Sequence, residues 1–418
     1  MSGQDRSLAG NAARASVAGA STALLAVLVI IAGRFLGDAE YGKLSYALAL
    51  AMIFETLVDL GLKEITTREV ARERRAAPGI VAQTLGLKLA LAATASIALV
   101  VTVRVLRAEP DVRLACYLLG AASLLRSYLL TFRHTLQGLE RFGLDSTVVV
   151  VDRSLLLLLG LGSLSGGLGL LGLAWSFVAA RVLSLSVAYA LAAGQIGAVR
   201  PAFDFTAWRT LQLQALPFGV FTVVFYVYSH VDMVMLGEFR TDEETGHYGA
   251  AYRLYEGLCA VAQVLQAVLI PRLASQFVTD RAEHGRLSRA GLLLGAGLGA
   301  SVGAGAIAFA GPLVALLFPD AAYAAAVRPL QLLASGFVVV FPLFVLYAVA
   351  LSVDARAWLL RTAVIGCVAN VALNRVLIPR HGMHGAAVAT VVGEALSLAV
   401  LAWGLRRHLW QSSGRDNP

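Results

Sequence analysis

Three ionisable residues, Arg126, Arg181 and Glu394, lie deep inside apolar stretches of the sequence. A charge at the centre of a bilayer costs at least about 2.5–3.5 kcal/mol, so each needs a partner or a polar cavity to face. Arg133 follows Arg126 by seven residues, which puts the two on nearly the same helix face. Asp152 and Arg153 stand side by side within a further apolar run. Together these arginines give the wall around them a positive field. Guanidinium pairs bidentately with phosphate oxygens, so a diphosphate or another anion is the ligand class the set suits. The competing reading is that the arginines pair with acids and hold helices together.

A second group of polar residues suits coupling or gating. Glu55, Asp59 and Lys63 recur every four residues as one stripe, which serves equally well as an interfacial face with local ion pairs. Asp232 follows Tyr226, Tyr228 and His230, and a carboxylate there suits a coupling proton or sodium ion, or a pair with Arg34 or Arg253. Arg253 and Glu256 are three apart, with Gln263 on the face of Glu256. Arg34, at the end of its apolar run, is either a gate-side anion contact or a snorkelling side chain. The candidates for substrate binding are therefore Arg126, Arg181, Arg153, Arg34 and Arg133. Those for coupling or gating are Asp232, Glu394, Asp59, Arg253 and Glu256. Asn370 and Asn374, four apart, suit hydrogen bonding between helices.

Soluble chemistry has no such signature. The sequence contains no Walker loop and no HExxH, and its seven histidines are dispersed without forming a ligand cluster. Gly166-Gly167-Leu168-Gly169 reads as a turn. Cys116, Cys259 and Cys367 are scattered through apolar runs as packing residues. The expectation is a protein that is not an enzyme and carries no resident cofactor.

The elements that must hold these side chains follow from composition. Of 418 residues, 58% are hydrophobic and 14% charged, with a mean hydropathy of +0.74. A soluble domain carries about 25% charged residues, and a disordered chain more still, so both classes are excluded. A membrane-crossing helix needs about 20 apolar residues. That rule finds about twelve runs, near 15–35, 44–62, 81–103, 113–133, 147–164 and 169–193, then 214–237, 248–270, 290–311, 330–351, 357–377 and 383–404. The fold class is an all-α polytopic membrane protein. Its expected division is an N-terminal six-helix lobe over 1–194, a cytoplasmic connection over 195–212, a C-terminal six-helix lobe over 213–405 and a tail over 406–418.

The formal charge of +8 reflects loops and not a nucleic-acid partner. Lys63, Arg68, Arg72, Arg74 and Arg75 follow the second run, Arg272, Arg281, Arg286 and Arg289 the eighth, and Arg406, Arg407 and Arg415 the twelfth. The alternate loops are poorer in Lys and Arg, the weakest case being the third-to-fourth connection with Arg104, Arg107 and Arg113, and both termini are expected in the cytoplasm. Trp208, Trp358, Trp403 and Trp410 fall near helix ends, as an interfacial belt requires. The halves repeat one another. Tyr41-Gly42-Lys43 opens the second run, and Thr245-Gly246-His247 the eighth, with Gly246 standing 204 positions after Gly42. A GxxGxA pattern starts at Gly169 and again at Gly382, 213 positions on, and in that register Arg181 faces Glu394. Two six-helix lobes related by an axis along the membrane normal typically enclose a cavity and rock to alternate access.

Several motifs carry a family likeness. Arg34-Phe-Leu-Gly37, Tyr41-Gly42, Asp59-Leu-Gly61-Leu62 and Arg68-Glu69-Val-Ala71 resemble the opening of polysaccharide flippases. Gln137-Gly138-Leu-Glu140-Arg141, Asp232-Met-Val-Met-Leu236-Gly237, Pro271, the Phe318–Tyr323 stretch and Asn374 through Ala387 continue the pattern over about residues 10 to 405. The sequence thus resembles the O-antigen-type branch of the multidrug/oligosaccharidyl-lipid/polysaccharide exporter superfamily. That resemblance implies a MATE-like V of two six-helix lobes in the inner membrane. It implies transfer of undecaprenyl-diphosphate-linked oligosaccharide to the outer leaflet, with glycan polymerase and glycosyltransferases as partners. An organic-cation antiporter of the same superfamily is the nearest rival. A membrane glycosyltransferase or glycan polymerase is disfavoured, because no expected outer loop is long enough for a catalytic domain.

Overall fold

The computed structural model describes residues 25–107 and 109–409 in full, and residues 3–24 and 410 by the course of their backbone. The side chains of 15–24, at the start of the first expected run, and the end of the tail, 411–418, lie outside the described residues.

The chain is helical throughout, with no strand among the described residues. In order come α1 (Gly3–Asp59), α2 (Leu62–Arg72), α3 (Ala77–Leu106), α4 (Pro110–Gly138), α5 (Phe142–Ser165), α6 (Gly169–Ile196) and α7 (Phe205–Phe239). Then follow α8 (Asp242–Thr279), α9 (Arg281–Ala308), α10 (Ala310–Leu317), α11 (Val327–Ser335), α12 (Phe337–Ser352) and α13 (Arg356–Trp410). Eight described helices are long and apolar enough to cross a membrane, or ten if each of two bent pairs counts as one span. Breaks at Gly37 and Gly382 divide α1 and α13 into two limbs each, which accounts for the twelve runs read from the sequence. The protein is a multi-pass membrane protein.

Local chemistry sets the helix starts. Pro78 and Pro110 occupy the first turns of α3 and α4, where a missing N–H costs nothing. The Thr241 hydroxyl accepts from the Glu244 N–H to open α8, and the Asp280 carboxylate accepts from the Ala282 and Glu283 N–H groups to open α9. The expected connection 195–212 is shorter than the charge pattern suggests, and only 197–204 stands outside a helix. Asp204 accounts for the difference by accepting from the N–H groups of Thr206 and Ala207, so that α7 starts early. The Ala202 N–H donates to the Ala82 carbonyl and the Trp208 indole to the Ala202 carbonyl, which ties this linker to α3.

The chain forms two compact units that divide between Tyr226 and Val227, within α7. In unit 1, α4 packs against α1 and α6, and α5 against α1 and α6. Its core joins Val81 and Leu85 of α3, Leu129, Phe132 and Leu136 of α4, and Val148 of α5. At the α1–α2 break, Leu60 and Gly61 have φ of 37° and 82°. A Cβ on Gly61 would meet the Ala215 carbonyl, and one on Gly219 would meet the Leu60 carbonyl. The break thus touches α7 backbone to backbone, a contact that only glycine at both places permits.

In unit 2, α12 is the central helix, packed against α8, α9 and α13. Lipid is as apolar as leucine, so helices here are held by close packing and interhelical hydrogen bonds more than by burial. Gly291, Gly295, Gly299 and Gly303 form a bare seam on α9, and the side chains and carbonyls of Ala334, Phe337, Phe341 and Val345 press into it.

Candidate functional site

The side chains with chemistry form three clusters, two in unit 1 and one in unit 2. The first gathers around Asp152 on α5. Arg181 on α6 donates through Nη1 to Asp152 Oδ1, and both side chains are buried. Arg153, the next residue on α5, lies 3.9 Å from the other carboxylate oxygen, and its buried Nε and Nη1 make no hydrogen bond. Arg126 on α4 donates through Nη1 to both oxygens of Glu55 on α1, at 2.8 Å each, and keeps 25% of its side chain exposed. Arg153 lies within electrostatic reach of Arg181, Arg126 and Arg133. The cluster therefore holds three guanidiniums against two carboxylates, and the surplus cation is the one with unfilled donors.

Arg133 joins this set only at long range. Its Nε and Nη2 donate to the two oxygens of Asp145 at 2.6 and 3.3 Å, and Gln137 Nε2 adds a third bond at 2.9 Å. Arg34, near the Gly37 break, is exposed.

The second cluster centres on a residue the sequence reading passes over. Lys88, in α3, is wholly buried. Its ammonium donates to Asp59 Oδ1 at 2.9 Å, to the Ser127 carbonyl at 2.9 Å and to Ser127 Oγ at 3.0 Å. All three protons of a charged lysine are thereby satisfied. Asp59 Oδ2 accepts no hydrogen bond, and the half-buried Lys63 ammonium lies 3.9 Å from it. The network links α1, α3 and α4 immediately before the Leu60–Gly61 break. The expected stripe of Glu55, Asp59 and Lys63 is thus divided. Glu55 turns to Arg126 and Asp59 to Lys88. The signal for Lys88 is present in the sequence, an ionisable residue well inside the run 81–103.

The third cluster lies in unit 2 and contains carboxylates with hydroxyl partners. Asp232 on α7 accepts from the Tyr248 hydroxyl at 2.6 Å, from the Met233 N–H at 2.7 Å and from the Thr390 hydroxyl at 3.4 Å. Glu394 on α13 accepts from the Tyr255 hydroxyl, and its Oε2 has no hydrogen-bond partner. Neither carboxylate has an ion-pair partner among the described residues. The ring of Tyr255 stacks on Phe337 at 5.2 Å, and those of Tyr248, Tyr252 and Tyr255 follow one another along α8. Arg253 Nη1 donates to Glu256 Oε2 at 2.7 Å within the same helix. Asn374 Nδ2 donates to Asn370 Oδ1 at 2.8 Å, so the bond expected between helices lies within one, the four-residue spacing allowing either.

The model of one family, described as polysaccharide biosynthesis protein, matches residues 8–277. No curated protein matches the chain. Among solved structures, a multidrug resistance MATE family transporter of the MOP superfamily, solved inward-facing, is similar with a TM-score of 0.77. It is 15% identical, and the match covers 94% of this chain and 97% of that one. The lipid II flippase MurJ, in its inward closed conformation, is similar at a TM-score of 0.73 and 11% identity, over 93% of this chain and 87% of that one. A MOP superfamily transporter from Pyrococcus furiosus, whose binding pocket is described as of reverse polarity, reaches 0.64 at 16% identity, over 94% and 93%. At these identities the likeness is one of fold, and the fold is MATE-like.

Proposed function

The chain belongs to the polysaccharide biosynthesis protein family, and from that premise we propose that it is a flippase for polyprenyl-diphosphate-linked oligosaccharide. It carries the lipid-linked glycan from the cytoplasmic to the outer leaflet by alternating access, with both termini in the cytoplasm and the chain in the inner membrane. The observation that carries this reading is the surplus guanidinium of unit 1. Arg153 is half-buried, with its Nε and Nη1 buried and unfilled, and Arg126 is partly open. A buried cation with free N–H groups is costly unless a ligand completes it, and a diphosphate does so with geometry that fits a planar fork. The name of the similar lipid II flippase adds support for a lipid-linked substrate.

In this reading Arg126 and Arg153 contact the diphosphate. Arg181 positions Arg153 by occupying Asp152, Arg133 extends the positive field, and Arg34 is a gate-side contact. Asp232 and Glu394 take a coupling proton or sodium ion, Asp59 with Lys88 stabilises the α1–α2 break, and Arg253 with Glu256 gates. Glycan polymerase and glycosyltransferases supply and consume the substrate.

A second reading rests on unit 2. Its two unpaired carboxylates and the tyrosine row suit an organic cation, and a similar structure is named as a multidrug transporter. One assay separates the two readings. The purified chain in proteoliposomes is expected to translocate a fluorescent polyprenyl-diphosphate oligosaccharide and to leave organic cations where they are. Transport of the cations without the lipid-linked glycan overturns the flippase reading.

A further inference from the structure

At one end of unit 2 the chain builds a surface that none of these roles uses. Trp358 stands near the start of α13 and Trp403 near its far end, and the reversal at Gly382 brings them together. Their rings meet edge to face, with centroids 5.4 Å apart. Each indole carries an arginine on its face. Arg361 Cζ lies 4.9 Å from the centre of the Trp358 ring, and Arg406 Cζ lies 4.5 Å from that of Trp403. Trp358 lies against bare backbone at Gly404, where a Cβ would run into the indole.

This arrangement differs from ordinary snorkelling. A snorkelling arginine extends freely into water, whereas these two guanidiniums lie over aromatic rings. Several exposed arginines have a carboxylate partner: Arg356, at the same end of α13, with Asp354 at 2.6 Å, and at other helix ends Arg286 with Glu283 at 2.6 Å and Arg240 with Glu244 at 2.8 Å. Arg361 and Arg406 have none among the described residues. Arg406 spends one donor on the Trp403 carbonyl at 2.8 Å, which leaves four of its five N–H groups. Trp403 is 59% exposed, so the face is open to lipid.

We propose that Trp358, Trp403, Arg361 and Arg406 form a headgroup site for an anionic phospholipid. The two guanidiniums take the phosphodiester oxygens. The indoles seat the boundary between headgroup and acyl chain, the depth at which tryptophan is enriched. A zwitterionic lipid offers the same phosphate but brings a cation to two arginines. The carboxylate of Asp354, the acid beside the start of α13, is already bonded to Arg356. The site is independent of transport and of the unit 1 arginines.

Native mass spectrometry of the full chain in detergent tests this with phosphatidylglycerol and phosphatidylcholine as probes. Phosphatidylglycerol is expected to bind at least tenfold more tightly. R361Q/R406Q is expected to weaken it roughly twenty- to thirtyfold, the effect of two lost cationic contacts at the headgroup. W403A, which truncates an exposed ring and removes no charge, is expected to weaken it several-fold and serves if the double variant does not fold. Equal affinity for the two lipids, unchanged phosphatidylglycerol binding in the folded variants, or displacement of the lipid by millimolar inorganic phosphate each overturns the proposal.

Discussion

Arg181 and Glu394 occupy matching places in the two halves, each twelve residues beyond the glycine that opens its GxxGxA pattern. Both are buried and both bond to a neighbouring helix, yet they solve the problem of burial in opposite ways. Arg181 is held by Asp152 in a network of charges that ends with a cation to spare. Glu394 is held by a tyrosine hydroxyl, as Asp232 is by Tyr248 and Thr390, and no cation enters. At their buried carboxylates, unit 1 thus uses ion pairs and unit 2 uses hydroxyl donors. Under the proposed function the first kind of unit serves the anionic substrate and the second a coupling proton or small cation. The repeat keeps a polar position and reverses its sign.

The sharpest way to break this comparison is to neutralise one carboxylate in each unit. Asp152→Asn leaves Arg181 buried without its counter-ion, and breaking a buried pair costs about 3–5 kcal/mol. Glu394→Gln removes no ion pair and keeps an acceptor for Tyr255, so a loss within about 1 kcal/mol is expected. Thermal unfolding of the purified variants, followed by gel filtration, reads both. Equal losses would mean that the two units are built alike after all.

Next in size is the surplus cation. Arg153→Gln retains a polar amide in the same cavity but removes the charge that the proteins' own carboxylates do not balance. A charge-assisted hydrogen bond contributes about 1.5–3 kcal/mol, so glycan translocation in proteoliposomes should fall roughly ten- to a hundredfold with folding unchanged. Unaltered translocation would remove the link between the charge surplus and the substrate.

Much of this division is legible in the sequence, and the reasons for the rest are physical. Arg126, Arg181 and Glu394 are conspicuous because the bilayer penalises a charge wherever it lies in an apolar run. Lys88 carries the same signal, but its deep position within 81–103 gains meaning only when Asp59 and Ser127 are seen around it. Partners are less legible than sites. Arg126 and Glu55 are 71 positions apart, and which helices face one another depends on packing that periodicity does not encode. The hydroxyl donors Tyr248, Tyr255 and Thr390 are less legible still, because such residues occur in membrane helices without any carboxylate nearby. Asn370 and Asn374 show the limit of spacing, since four residues fit a bond along one helix as well as one between two. The breaks at Gly37 and Gly382 are the counterpart in the backbone, single non-helical residues that fall where the sequence pattern interrupts its apolar runs.

The smallest expected effect tests the hydroxyl half of the comparison. Tyr248→Phe removes the shortest of the hydroxyl bonds to Asp232 and keeps the ring that packs beside Tyr252. Interhelical hydrogen bonds in a bilayer contribute about 0.6 kcal/mol on average and about 1.7 at most. Asp232 also retains the Met233 N–H and the Thr390 hydroxyl, so a loss near the lower figure is expected in thermal unfolding. Tyr248→Phe combined with Thr390→Val should cost more than the two single changes together, because only the pair leaves the buried carboxylate with the Met233 N–H alone. Additive costs would show that Asp232 draws its solvation from elsewhere, and unit 2 would then need a cation after all.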